Sequence, residues 1–93
     1  MQYVLITHEV ESYPAWKAIF DRAADMRHAA GELSYQLLRH DTDGNKIVHF
    51  SAWTSLANAR QFFESAELVE IRMQAGVMVP EFNYLELIER GVL

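Results

Sequence analysis

Two of the four histidines in this chain of 93 residues, His8 and His49, sit in short stretches rich in β-branched and aromatic residues. An imidazole titrates near neutrality, so one held in an apolar pocket can act as a general base. Each can equally be a core histidine that fills space and makes one hydrogen bond. His8 is in phase with Val4, Ile6 and Val10, and His49 with Ile47, Ser51 and Trp53. Side chains alternate along a strand, so His49 and Trp53, four residues apart, share a face. His8 joins them if Val4 and Ile6 define the covered side. Tyr3 and Leu5 are apolar too, and a one-residue slip would turn His8 to the opposite face. No carboxylate or third histidine stands at metal-ligand spacing from either, so no metal site is expected.

Other residue types fit the same chemistry. Trp16, Phe20, Trp53 and Phe63 could wall a flat aromatic ligand, or simply fill the core. Tyr35 and Arg39 share a strand face; the phenol could orient an enolate, and Arg39 or Arg72 could stabilise an oxyanion, although surface or interface duty is commoner for all three. Glu64, Glu67 and Glu70 read as a solvated helix face, and His28 and His40 as element ends without a role. There is no nucleophile elbow, no glycine-rich phosphate loop and no pair of carboxylates placed for hydrolysis. The absence of cysteine excludes disulfides, thiolate metal sites and a cysteine nucleophile.

The elements that must position these residues follow from periodicity and punctuation. Gln2–Val10 reads as a strand. Pro14 suits a first helical position behind Ser12 or Tyr13, and Trp16, Ile19, Phe20, Ala23 and Ala30 make one amphipathic helix ending near Gly31. A strand over 33–40, a turn over 41–45 centred on Asp43-Gly44 and a strand over 46–54 form a hairpin. Ser55 caps a helix carrying Leu56, Ala59, Phe62 and Phe63, and Ser65 caps a shorter one over 66–75, closed by Gly76. Pro80 stops continuation, and the last strand is expected over 81–89. The order is β-α-β-β-α-β with a broken second helix. Two right-handed crossovers around the hairpin give an α+β fold: a four-stranded antiparallel sheet with the helices on one face, in a single domain over 1–93.

The helices cover one face only, yet the strands are apolar at both parities: Val4 and Ile6 against Tyr3 and Leu5, Val48 and Phe50 against Ile47 and Trp53. With 51% hydrophobic residues in so short a chain, the second face calls for a partner sheet. A second copy is the simplest partner, so a homodimer is expected. The net charge of −5 and scattered basic residues exclude a nucleic-acid surface. No apolar stretch approaches a membrane span, and the N-terminus lacks the basic region and apolar core of a signal peptide. A soluble, cytoplasmic protein is the expectation.

In its motifs the chain resembles the dimeric α+β barrel superfamily, of ferredoxin-like fold, and within it the antibiotic-biosynthesis-monooxygenase-like proteins. The resemblance rests on His8-Glu9-Val10 leading into Tyr13-Pro14-Ala15-Trp16 and Phe20-Asp21, on Val48 through Leu56 with its Trp53-Thr54-Ser55 step, and on Ala75-Gly76-Val77 followed by Pro80-Glu81. It implies two sheets face to face in a dimer, a ligand cavity between sheet and helices in each subunit, and Trp53 lining that cavity. Some relatives oxidise polycyclic phenols with oxygen and no cofactor; others degrade haem through a helix histidine after the tryptophan. Residues 56–74 contain no histidine, which argues against haem.

The reading is a cofactor-independent monooxygenase, or a related isomerase or cyclase, acting on a small aromatic or enolisable compound. His8 or His49 would remove the proton, Trp53, Trp16, Phe20, Phe63, Tyr35 and Arg72 would contact the substrate, and no cofactor is needed. The alternatives are a dimer that binds or senses a small molecule without turnover, and a structural protein with a filled core. An open cavity with a histidine in it favours the first two; a solid core with both histidines bonded to backbone favours the third.

Overall fold

In the computed structural model, which describes residues 1–93, the elements run β1 (Gln2–Val10), α1 (Tyr13–Arg22), α2 (Ala24–Ala30), β2 (Glu32–His40), β3 (Asp43–Trp53), α3 (Leu56–Phe63), α4 (Ala66–Gln74) and β4 (Val77–Glu86). The sheet is antiparallel throughout, in the order β2-β3-β1-β4. The expected ferredoxin-like α+β arrangement is the one observed. No helix is long and apolar enough to cross a membrane.

Serine caps start three helices. Ser12 Oγ accepts from Ala15 N at 3.4 Å, Ser55 Oγ from Asn58 N at 3.0 Å and Ser65 Oγ from Leu68 N at 3.3 Å. Each such cap contributes about 1 kcal/mol. Gly31, at φ 122°, closes α2 where an added Cβ would collide with Thr54 Oγ1, so no other residue fits there without a shift.

The structure departs from the expected elements in three places. The first helix is two. Ala23 (φ −86°, ψ 4°) ends α1 and begins α2, and the break lets Trp16 and Phe20 pack over one region while Arg27 turns inward from the next. The hairpin turn is only Asp41-Thr42, with His40 paired to Asp43; Asp43-Gly44 lies within β3 beside a register shift. Finally, β4 starts at Val77, before Pro80, and ends at Glu86. Pro80 is tolerated because β4 is an edge strand and because the ladder with β1 shifts there: Thr7 faces Glu81, Glu9 faces Met78, and His8 faces the irregular step at Val79-Pro80. Val79 takes φ 48°, the one non-glycine residue with positive φ.

The helix-side core is in two pieces. One gathers Val4, Ile6, Trp53, Ala59, Phe62, Phe63 and Leu68; the other gathers Val10, Trp16, Phe20, Ile47 and Ala75. No helix covers the opposite face of the sheet; only the C-terminal segment touches it, where Arg90 donates to the Tyr3 hydroxyl at 3.0 Å. Tyr3 and Phe50 stack there with centroids 5.0 Å apart, and Leu38 and Leu85 are 52% and 40% exposed.

Candidate active site

Between the two core clusters lies a cavity of about 80 Å³. Twelve of its sixteen lining residues are hydrophobic; the other four are His8, Arg27, His49 and Arg72, and none is a carboxylate. β1 supplies His8, β3 supplies His49, α2 supplies Arg27 and α4 supplies Arg72. The apolar wall comes from Trp16 and Phe20 of α1, Phe62 and Phe63 of α3, and Phe82 of β4, among others.

Both histidines thus face the helices. Pairing of Ile6 with His49 and of His8 with Ile47 places them diagonally across neighbouring central strands. His8 is 8% exposed, its ring lies 5.2 Å from that of Trp16, and its Nε2 is buried without a hydrogen-bond partner. Burial, reinforced by His49 and by the Arg72 cation, lowers its pKa from 6.5 to about 4. His8 is therefore neutral at pH 7.

The surroundings of His49 are different. Its Nε2 is 2.7 Å from Glu32 Oε2, inside the protein, and its ring meets the Phe20 ring edge-on at 5.0 Å. Glu32 Oε1 stands 3.3 Å from Arg27 Nε. That contact is one of charge rather than a directed hydrogen bond, because Arg27 Nε and Glu32 Oε1 both lack a hydrogen-bond partner. Arg27 Cζ lies over the Phe20 ring, 3.5 Å from its centroid, and 5.0 Å from that of Tyr35. Arg27, Glu32 and His49 form one buried polar chain. Arg72 is held on the other side by donation to the Phe63 carbonyl at 2.9 Å, over Phe82.

Of the residues singled out in the sequence, His8, His49, Trp16, Phe20, Phe63 and Arg72 meet at this cavity. Trp53 and Tyr35 do not line it. Trp53 is core: its indole N–H donates to Ser51 Oγ at 2.8 Å, and its ring packs on Phe62 and Phe63, which stand between it and the open space. Tyr35 lies on the edge strand β2, 48% exposed, with its ring edge-on to Phe20 from outside. Arg39, on the same strand, sits over the Tyr13 ring.

Arg27 and Glu32 were not among the sequence candidates. Arg27 did leave a signal: it stands seven residues after Phe20 and three before Ala30, on the apolar stripe of its helix, where a cation needs a buried partner. Glu32 leaves none beyond following the closing glycine. No group of three histidine, cysteine or acidic side chains is placed to hold a metal ion.

Chemically, the cavity is an apolar slot that carries basic groups and no acid. It suits a flat molecule with one ionisable oxygen or carbon acid, whose anion the cations would stabilise. An apolar protein cavity of about 150 Å³ accepts benzene, so admission of a two-ring molecule requires this wall to move.

The chain belongs to the antibiotic biosynthesis monooxygenase family, whose model matches residues 2–73. Among solved structures it is similar to SnoaB, a cofactor-independent oxygenase from Streptomyces nogalater, at a TM-score of 0.77 and 16% identity over 96% of this chain and 94% of that one. It is also similar to proteins assigned as antibiotic biosynthesis monooxygenases from Bordetella bronchiseptica (TM-score 0.73, 18% identity, 99% and 97% covered) and Caulobacter crescentus (0.72, 19%, 95% and 90%). At these identities the likeness establishes the shared fold. No protein of curated function matches the chain.

Proposed function

We propose that this single-domain chain works as a homodimer that oxidises a small aromatic or enolisable compound with molecular oxygen and no cofactor, or carries out a related isomerisation or cyclisation of such a compound. The observation that carries the reading is the cavity: two histidines and two arginines, no carboxylate, and an apolar wall. One histidine removes an acidic proton, and the Arg72 guanidinium, which has no carboxylate partner, favours the anion. The anion gives one electron to oxygen, and the two radicals combine to a peroxide. Loss of water from the peroxide leaves a carbonyl: one oxygen atom enters the substrate, the other leaves as water, and the substrate supplies all the electrons. The family match and the likeness to SnoaB support this reading.

The test is oxygen uptake with anthrone as probe, without added metal or flavin. The expected result is saturable consumption of one oxygen per anthrone, reduced about 100-fold or more by His49→Ala. Anthrone oxidation no faster than in buffer would refute it. The second reading, a dimer that holds a small ligand without turnover, draws on the small volume of the cavity, and saturable binding of a one-ring phenol with no oxygen uptake would favour it.

A further inference from the structure

We propose that Glu32, at the start of β2, is the positioning residue of this site: it orients His49 as the base and leaves His8 as the neutral hydrogen-bond partner of the substrate oxygen. This rests on the reading of the site as one that removes a substrate proton.

The two histidines share a cavity but differ in their partners. Glu32 Oε2 lies 2.7 Å from His49 Nε2, with Glu32 5% and His49 4% exposed. A carboxylate at that position keeps a proton on Nε2, so Nδ1 carries the lone pair. The edge-on rings of Phe20 and Phe63, at 5.0 and 6.5 Å, restrict rotation of the imidazole. The other carboxylate oxygen faces Arg27, whose guanidinium is fixed on the Phe20 ring. The Arg27–Glu32 pair is therefore neutral as a unit and remains in place whether or not His49 carries an extra proton. The substrate proton moves to His49 Nδ1, and the imidazolium forms against Glu32. The proton returns to the peroxide anion before water leaves.

His8 has no carboxylate beside it, and its Nε2 is unpartnered in the cavity wall. A second proton there would meet Arg72 and His49 with nothing to balance it. A neutral imidazole can still donate one hydrogen bond to a developing oxyanion.

The test compares the wild-type protein with Glu32→Gln and with the double variant Arg27→Met/Glu32→Gln, which removes both buried charges and so guards against unfolding. In histidine-labelled protein, NMR should show one far-downfield, slowly exchanging imidazole proton on His49 Nε2. It should vanish in both variants and persist in His8→Gln. With anthrone, Glu32→Gln should lose about 100-fold in kcat while KM stays within about twofold, and the double variant, which also removes a cavity-lining cation, should lose at least as much in kcat. The inference is overturned if the wild-type protein lacks the protected proton, or if either folded variant keeps kcat within about threefold of wild type. Should the wild-type protein fail to oxidise anthrone, the functional reading falls. The resonance then decides the positioning role alone: present and dependent on Glu32, it holds; absent, it fails.

Discussion

Replacing His8 by glutamine should flatten the acid side of the stability profile. His8 has a pKa of about 4 in the folded protein against 6.5 for a free histidine, mainly because it is buried. The folded value lies below the unfolded one, so as pH falls the unfolded chain takes up the proton first. The stabilisation is fully present above pH 6.5 and drains away as pH falls toward 4. At a little over 1 kcal/mol per pH unit, the whole shift corresponds to about 3 kcal/mol, most of it traversed between about pH 7.5 and about pH 4.5. Water drawn into the cavity beside a charged ring trims this to about 2 kcal/mol, a large fraction of a small domain's stability. Glutamine keeps a polar group in the site but cannot titrate. Urea unfolding, followed by Trp16 and Trp53 fluorescence at fixed protein concentration, should show wild type losing about 2 kcal/mol more than His8→Gln over that span. Parallel pH profiles would refute the reasoning, as would an NMR titration of His8 in the folded state with a midpoint near 6.5.

Arg27→Met alone should destabilise by about 3–5 kcal/mol, because it leaves the Glu32 charge buried and uncompensated, and adding Glu32→Gln should recover most of that in a double-mutant cycle. Phe63→Ala should cost about 3–5 kcal/mol by thermal or urea unfolding, and should enlarge the cavity enough for calorimetry to detect tighter binding of two-ring phenols. Trp53→Phe should lose about 1–2 kcal/mol with its bond to Ser51, yet leave ligand affinity within about twofold, since Trp53 does not line the cavity. Light scattering at micromolar concentration should give twice the 10.7 kDa chain mass; a monomer would leave the Tyr3–Phe50 face without a purpose.

The strands and the capped helices were legible because each rests on a local signal: alternation, a serine before an apolar run, a glycine after one. The side of the sheet that His8 faces was not, because Tyr3 and Leu5 are apolar like Val4 and Ile6. The slip that would have turned His8 away does not occur. Val4 and Ile6 fit under the helices beside it, and the ladder irregularity opposite His8 falls in β4. What escaped the sequence depends on long-range geometry. The break at Ala23 carries no proline or glycine; packing of two differently aimed segments sets it. Pro80 suggested a boundary, but an edge strand with a bulge can absorb a proline. The family resemblance implies Trp53 at the cavity, and Trp53 does share the helix-side face with His49, but a shared face does not fix depth, and Phe62 and Phe63 close that end. The Arg27–Glu32–His49 chain joins α2, β2 and β3, and no spacing rule links its members.

The strand order has a consequence for how the chain is made. Of the four strands β1 is synthesised first, yet it occupies an interior position, and its neighbours are β3 and β4, the two made last. Until residues 43–53 have emerged, Gln2–Val10 has no neighbour to pair with, and one of its edges stays open until residues 77–86 appear. The nascent polypeptide therefore carries an apolar ribbon that is not fully paired until β4 has been made, the kind of segment that chaperones recognise. A version with the N-terminal strand moved behind β4 through a linker would leave the native pairings unchanged while β1 emerged last, so any difference in soluble yield between the two would report the cost of that wait.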